Sequence, residues 1–142
     1  MTYAFGWPLQ QGLHAALTTH AEVSAIAGGR VHDEPPHRDA ESWDAEAPYV
    51  LIGEESAAPW STMSDEGAAH EIAISAVAAE PGFATVKRLA GAICDAVLAP
   101  LALPRGRVVS ARLLSARTAR ARRGSMRRVD MRFRIAIEDD AA

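Results

Sequence analysis

Two stretches of the 142-residue chain carry side chains with chemistry to offer. The first is His32-Asp33-Glu34, followed by His37 and Asp39, whose imidazoles and carboxylates are ligand types for a divalent metal. The same letters read as a solvated acidic loop. Pro35 and Pro36 interrupt them, no second group matches them in spacing, and a precise metal site needs rigid support. No metal and no other cofactor is therefore expected. Cys94 sits beside Ile93 on an apolar helical stripe, where a thiol packs as a small hydrophobe rather than acting as a nucleophile. Ser61 and His70 are neighbours only in sequence, and the chain has no Gly-x-Ser-x-Gly elbow to present a nucleophile. Gly28-Gly29-Arg30 lacks the Lys and hydroxyl of a phosphate-binding loop and follows no strand. The expectation is a protein with no catalytic residues that is not an enzyme.

The second stretch is the arginine-rich C-terminal part. Residues 105–134 hold eleven arginines, whereas residues 1–80 hold thirteen carboxylates and two basic side chains. A formal net charge of −3 thus conceals −11 in residues 1–80 against +8 in residues 81–142, a split that calls for a charge-matched partner. Fourteen Arg against one Lys, with no Asn, also fits a GC-rich coding sequence, which discounts the count. Guanidinium groups at Arg117, Arg120, Arg122, Arg123, Arg127, Arg128, Arg132 and Arg134 could follow phosphates, making a nucleic-acid-binding module with a basic C-terminal hairpin the alternative reading. Against it, the segment is nearly free of aromatic residues for stacking, and the pI near 5.9 is far from basic. The favoured reading pairs these arginines with carboxylates of a neighbouring subunit, because the planar guanidinium suits bidentate interface pairs.

The elements that must carry these residues follow from periodicity. Leu9, Leu13, Ala16 and Leu17 predict a helix over 8–19, Val23 and Ile26 one further turn, and Gly28-Gly29 a stop. A polar loop is expected over about 28–47. Tyr49 to Glu54 and His70 to Ala79 predict a strand pair, joined by a long connection over about 55–69 with Trp60 on its arm. Phe83, Val86, Leu89, Ala90, Ile93, Cys94 and Val97 trace one stripe of a second long helix, closed by Pro100. Residues 107–117 and 126–138 make a last strand pair around an Arg-rich loop at about 117–125. In its final strand Val129, Met131, Phe133, Ile135 and Ile137 alternate with Arg128, Asp130, Arg132, Arg134 and Glu138. One α+β domain over 1–142 is expected, a mostly antiparallel four-stranded sheet of two hairpins with helices packed on one face. Its core should be thin, since 30 of 69 apolar residues are Ala. A lone cysteine and the absence of an apolar leader or membrane span point to synthesis in a reducing cytoplasm.

Six segments in register resemble one family. They are Gly28 to Pro36 (GGRVHDEPP), Pro48 to Glu54 (PYVLIGE), Trp60 to Thr62 (WST), His70 to Ile74 (HEIAI), Val108 to Leu113 (VVSARL) and Arg132 to Arg134 (RFR). In order and spacing, from about Leu13 to Ile137, they are similar to the tail-completion or tail-terminator proteins of long-tailed phages, prophages and gene-transfer agents. The acidic, histidine-containing loop at 32–46 is longer than that pattern. The resemblance implies a structural virion subunit that forms a hexameric ring on the head-proximal end of the tail tube, stops tube polymerisation and joins the tail to the head. Its implied partners are further copies of itself, the major tail tube protein and a head-completion or neck protein. DNA would pass through the ring without specific binding, and no membrane is involved. The implied location is the head-proximal tail of a phage-like particle, with assembly in the bacterial host cytoplasm. Arg128, Arg132, Arg134, Arg117, Arg120 and Arg122, with Trp60, Glu54 and Glu55, are the residues expected at a subunit, tube or neck interface. A heterologous ring contact needs two complementary faces, and the charge split provides them.

Overall fold

The computed structural model describes residues 3–34, 47–61, 66–79, 82–120 and 126–139. Helix α1 (Gly6–Thr19) buries Leu9, Leu13 and Leu17, the i, i+4, i+8 row expected of a helix laid on a core. His20 ends it by turning extended, and the same residue starts α2 (Ala21–Ala27) by accepting the Val23 N–H on Nδ1 at 3.4 Å. The stop at Gly28 is conformational. It takes φ 58°, a left-handed geometry that L side chains resist, and its N–H bonds the Ser24 carbonyl at 2.8 Å.

Beyond that cap the chain enters β1 (Val31–His32), which pairs in parallel with the start of β2 (Tyr49–Ser61). Arg30 fastens the junction, donating Nε–H to the Pro48 carbonyl at 2.8 Å. β2 pairs antiparallel with β3 (Glu66–Ala78), which pairs antiparallel with β5 (Arg127–Glu138), which pairs antiparallel with β4 (Arg107–Arg120). Helix α3 (Ala84–Leu98) lies between, burying Val86, Leu89, Ile93 and Val97. The sheet order is β1-β2-β3-β5-β4.

The class is therefore α+β, and both expected strand pairs are present. The sheet has five strands rather than four, because Val31–His32 adds a short parallel edge within the expected loop at 28–47. The segment expected as a connection over 55–69 is largely strand: β2 continues to Ser61 and β3 begins at Glu66. Likewise β4 runs on to Arg120, taking in the first four residues of the expected loop at 117–125. Residues 35–46, 62–65 and 121–125 lie outside the described residues, and with them His37, Asp39 and Arg122.

Alternation sorts the sheet into two faces. One buries Val50, Ile52, Ile72, Ile74, Val129, Met131, Phe133, Ile135 and Ile137 in one cluster with the helical rows. Each fully buried Leu, Ile or Phe there is worth about 1.5–3 kcal/mol. No helix among the described residues is long and apolar enough to cross a membrane.

Candidate assembly surface

The opposite sheet face is built from the polar positions of the same strands. Its rungs, read from β4 across β5 and β3 to β2, are Arg112, Arg134, Glu71 and Ser56, then Ser115, Arg132 and Ala73, then Arg117, Asp130, Ser75 and Leu51. With Arg128 on the next rung, between Ala119 and Val77, three arginines of β5 share this face, as the strict alternation of the strand requires. Two of them already have carboxylates in their own chain. Arg128 meets Asp130 at 3.0 Å, a carboxylate that also accepts from Ser75 Oγ at 2.6 Å, and Arg132 meets Glu71 at 3.4 Å. Arg134 makes no ion pair among the described residues, and neither do Arg112 beside it or Arg117 two rungs further on; Arg120, in register with buried Arg127, lies on the helix side and has none either. The Arg132–Glu71 pair is exposed and worth at most about 1 kcal/mol, so a partner can exchange it at little cost, whereas the Arg128–Asp130 pair is half-buried and tied to Ser75. The face is cationic with spare capacity.

The carboxylates expected opposite them divide in two. Glu54 is exposed. Glu55 is turned to the helix side by a β-bulge: Ile52 pairs Ile74 and Glu55 pairs Ile72, leaving Gly53 and Glu54 together opposite Ala73. There Glu55 accepts from Nδ1 of the fully buried His70 at 3.1 Å and from the Tyr3 hydroxyl, with the Tyr3 and His70 rings 5.9 Å apart. Burial pushes the Glu55 carboxyl up, but the bonds from His70 and Tyr3 outweigh it and hold the group below its ordinary 4.5. Bonding to that carboxylate raises the Tyr3 phenol in turn, helped by partial burial. Glu55 is thus committed within its own chain. The inward step of His70 in the row Ala68, His70, Ile72, Ile74 is the signal in the sequence that a buried polar partner had to exist.

This cluster carries a pH prediction. A carboxyl whose folded pKa is depressed stabilises the fold above its unfolded value, and that contribution is lost as pH falls through the folded value. Glu55→Gln should therefore cost about 1.5–3 kcal/mol at neutral pH, the range for bonds to a charged group. The difference from the parent should shrink as pH drops below 4.5, read as converging urea midpoints. Midpoints that stay parallel across that range would refute the assignment.

Trp60 stands opposite Gly67 on the open face, half-buried rather than at the end of an arm. The other chemical candidates are absorbed by packing. His32 tilts against Tyr49 with ring centres 5.7 Å apart, and Asp33 accepts from Gln10 Nε2 at 3.2 Å. No group of three or more His, Cys, Asp or Glu among the described residues could hold a metal. Cys94 is half-buried with Sγ 3.6 Å from Met131 Sδ, and burial, then Asp95, push its thiol up, away from a reactive thiolate. Ser61 pairs with Glu66 and His70 with Ala57, four residues apart along the ladder, or about 13 Å at about 3.3 Å per residue. Sequence patterning did not single out the exposed Trp7 of α1, or Val109 and Leu114, which sit at the two bulges of β4.

A layered α+β subunit with a partly neutralised cationic sheet face and an exposed edge strand has the surfaces of a structural assembly module. The family model of tail completion protein gp17 matches residues 11–138, and the chain belongs to that family. It is also similar to a chain from the virion of a native gene transfer agent particle, with 37% sequence identity and a TM-score of 0.82 over 96% of this chain and 99% of that chain. No curated protein matches it. The protein is a structural component of a phage-type tail, not an enzyme.

Proposed function

We propose that this protein closes the head-proximal end of a phage-like tail tube as a hexameric ring, ending tube polymerisation and joining the tail to the neck of the head. It would act inside a virion or gene-transfer-agent particle, against copies of itself, the tube protein and a neck protein, with DNA passing through the ring. The observation that carries this reading is the open sheet face, where Arg112, Arg117 and Arg134 have no carboxylate partner among the described residues of their own chain. A chain carrying −11 in residues 1–80 can supply the missing carboxylates from the next copy, as a heterologous ring contact demands. Family membership supports the tail location, and the likeness to a gene transfer agent chain supports a particle of that kind.

The test is reversal of charge on that face. Arg132→Glu with Arg134→Glu should convert a species near six subunits to single subunits of 15.1 kDa by light scattering at moderate salt. A double variant that still runs as a hexamer would sink the arginine-faced ring.

A further inference from the structure

We propose that adjacent copies join by seating the β4 edge of one copy in the groove between α1 and β1 of the next. This contact rests on the ring reading above and specifies which surfaces meet. The sheet order puts β4 and β1 at opposite edges of each subunit, which is where a head-to-tail ring needs its two unlike contact surfaces.

The two edges are chemically complementary. Among the described residues β4, 14 residues long, is the outermost strand with no partner on its outer side, and it bulges at Val109 and Leu114. Bulges interrupt the ladder geometry that would extend one sheet into another, so the edge offers side chains rather than a backbone template. Those side chains are Val109, Leu113 and Leu114, 45%, 38% and 39% exposed, an apolar ridge no described element of the same chain covers. At the other edge a cavity of about 460 Å³ opens between α1 and the β1-β2 pair, lined by Trp7, Gln10, Gln11, His14, Val31 and Ile52. Trp7, 65% exposed among the described residues, presents its indole at the mouth of this cavity. Helical spacing makes this wall, since Trp7, Gln10, Gln11 and His14 recur at i, i+3, i+4 and i+7.

Charge flanks both surfaces with opposite sign. The ridge is bordered by Arg112, Arg117 and Arg120, without ion pairs among the described residues. At the groove His32 and Asp33 complete the lining, and Asp33 and its neighbour Glu34 are exposed carboxylates. Complementary fields of this kind steer the encounter and suppress ridge-to-ridge or groove-to-groove pairing, which would close a dimer instead of a ring.

A mixing experiment tests the contact on the full chain. A ridge variant, Val109→Asp with Leu114→Asp, keeps its groove, and a groove variant, Trp7→Glu with His14→Glu, keeps its ridge. Each alone should run as a single subunit of 15.1 kDa, and an equal mixture should give a species of twice that mass and nothing larger, because one good contact survives per pair. A ring formed by either variant alone, or a mixture that stays monomeric although both variants melt like the parent, overturns the contact. Should the apolar substitutions unfold the chain, the exposed pair Arg112→Glu with Arg117→Glu serves as the ridge variant with the same expected loss. The parent is measured first, alone and with tail tubes. A parent that forms no ring in either setting counts against the ring itself, whereas a parental ring unaffected by the variants counts against this contact alone.

Discussion

Phe133→Ala should lower the unfolding free energy by about 3–5 kcal/mol, the range for removing a buried aromatic ring and leaving its cavity. Phe133 is fully buried at the middle of β5, paired with Ile72 on one side and Leu113 on the other, and belongs to the same cluster as the buried rows of α1 and α3. Domains of this size hold about 5–15 kcal/mol in total, so this one ring accounts for a large fraction of the margin. The melting temperature should fall by roughly 10–20 °C, followed by circular dichroism. The effect should reach the open face as well, since Phe133 lies between Arg132 and Arg134 and its burial sets the phase on which both point outward. A loss below about 1 kcal/mol would mean that the site repacks freely and that the phase of β5 is held elsewhere.

Gly67→Val should cost about 3 kcal/mol, at the upper end of what forced overpacking does. A Cβ at this position would overlap the Ile137 carbonyl oxygen of the neighbouring strand, and it would come within 2.9 Å of Cε3 of Trp60. The first contact is with backbone, so β5 must move or the β3-β5 ladder must part at that end. The second would displace the indole from the place where it shields this rung. Urea unfolding and the near-ultraviolet dichroism of the tryptophans read the two consequences separately. A variant with parental stability and an unchanged aromatic signal would show that the close approach of strands at Gly67 is not required.

What the sequence made legible, and what it did not, follows from the range of each interaction. The rows Leu9-Leu13-Leu17 and Val86-Leu89-Ile93-Val97 announce their helices because the 3.6-residue period is contained in each segment. The final strand is equally plain, since five apolar and five polar side chains alternate from Arg128 to Glu138. β1 could not be found that way. Two residues carry no period, and their partners Val50 and Leu51 lie nineteen positions further along the sequence. The outer halves of β2 and β3 escaped because Ala57, Ala58, Pro59, Gly67, Ala68 and Ala69 have poor strand propensity and are held by the ladder, not by their own preference. For the assembly surface, the alternation of β5 sufficed to put Arg128, Arg132 and Arg134 on one face. That Arg128 and Arg132 are partly neutralised by Asp130 and Glu71 depends on the strand register, which composition does not encode.

The bulge in β2 works as a phase shifter. Up to Ile52 the even-numbered residues of the strand face the helices; beyond the extra residue at Gly53-Glu54 the odd-numbered ones do. Remove that one residue and Ser56, Ala58 and Trp60 would swing under the helices while Glu55, Ala57 and Pro59 faced outward, with no change of amino acid anywhere else. His70 would then be left inside without its carboxylate. A single backbone insertion therefore decides both whether His70 keeps its carboxylate and which side of the tail subunit displays Trp60, so the count of residues within a strand can matter as much as their identity.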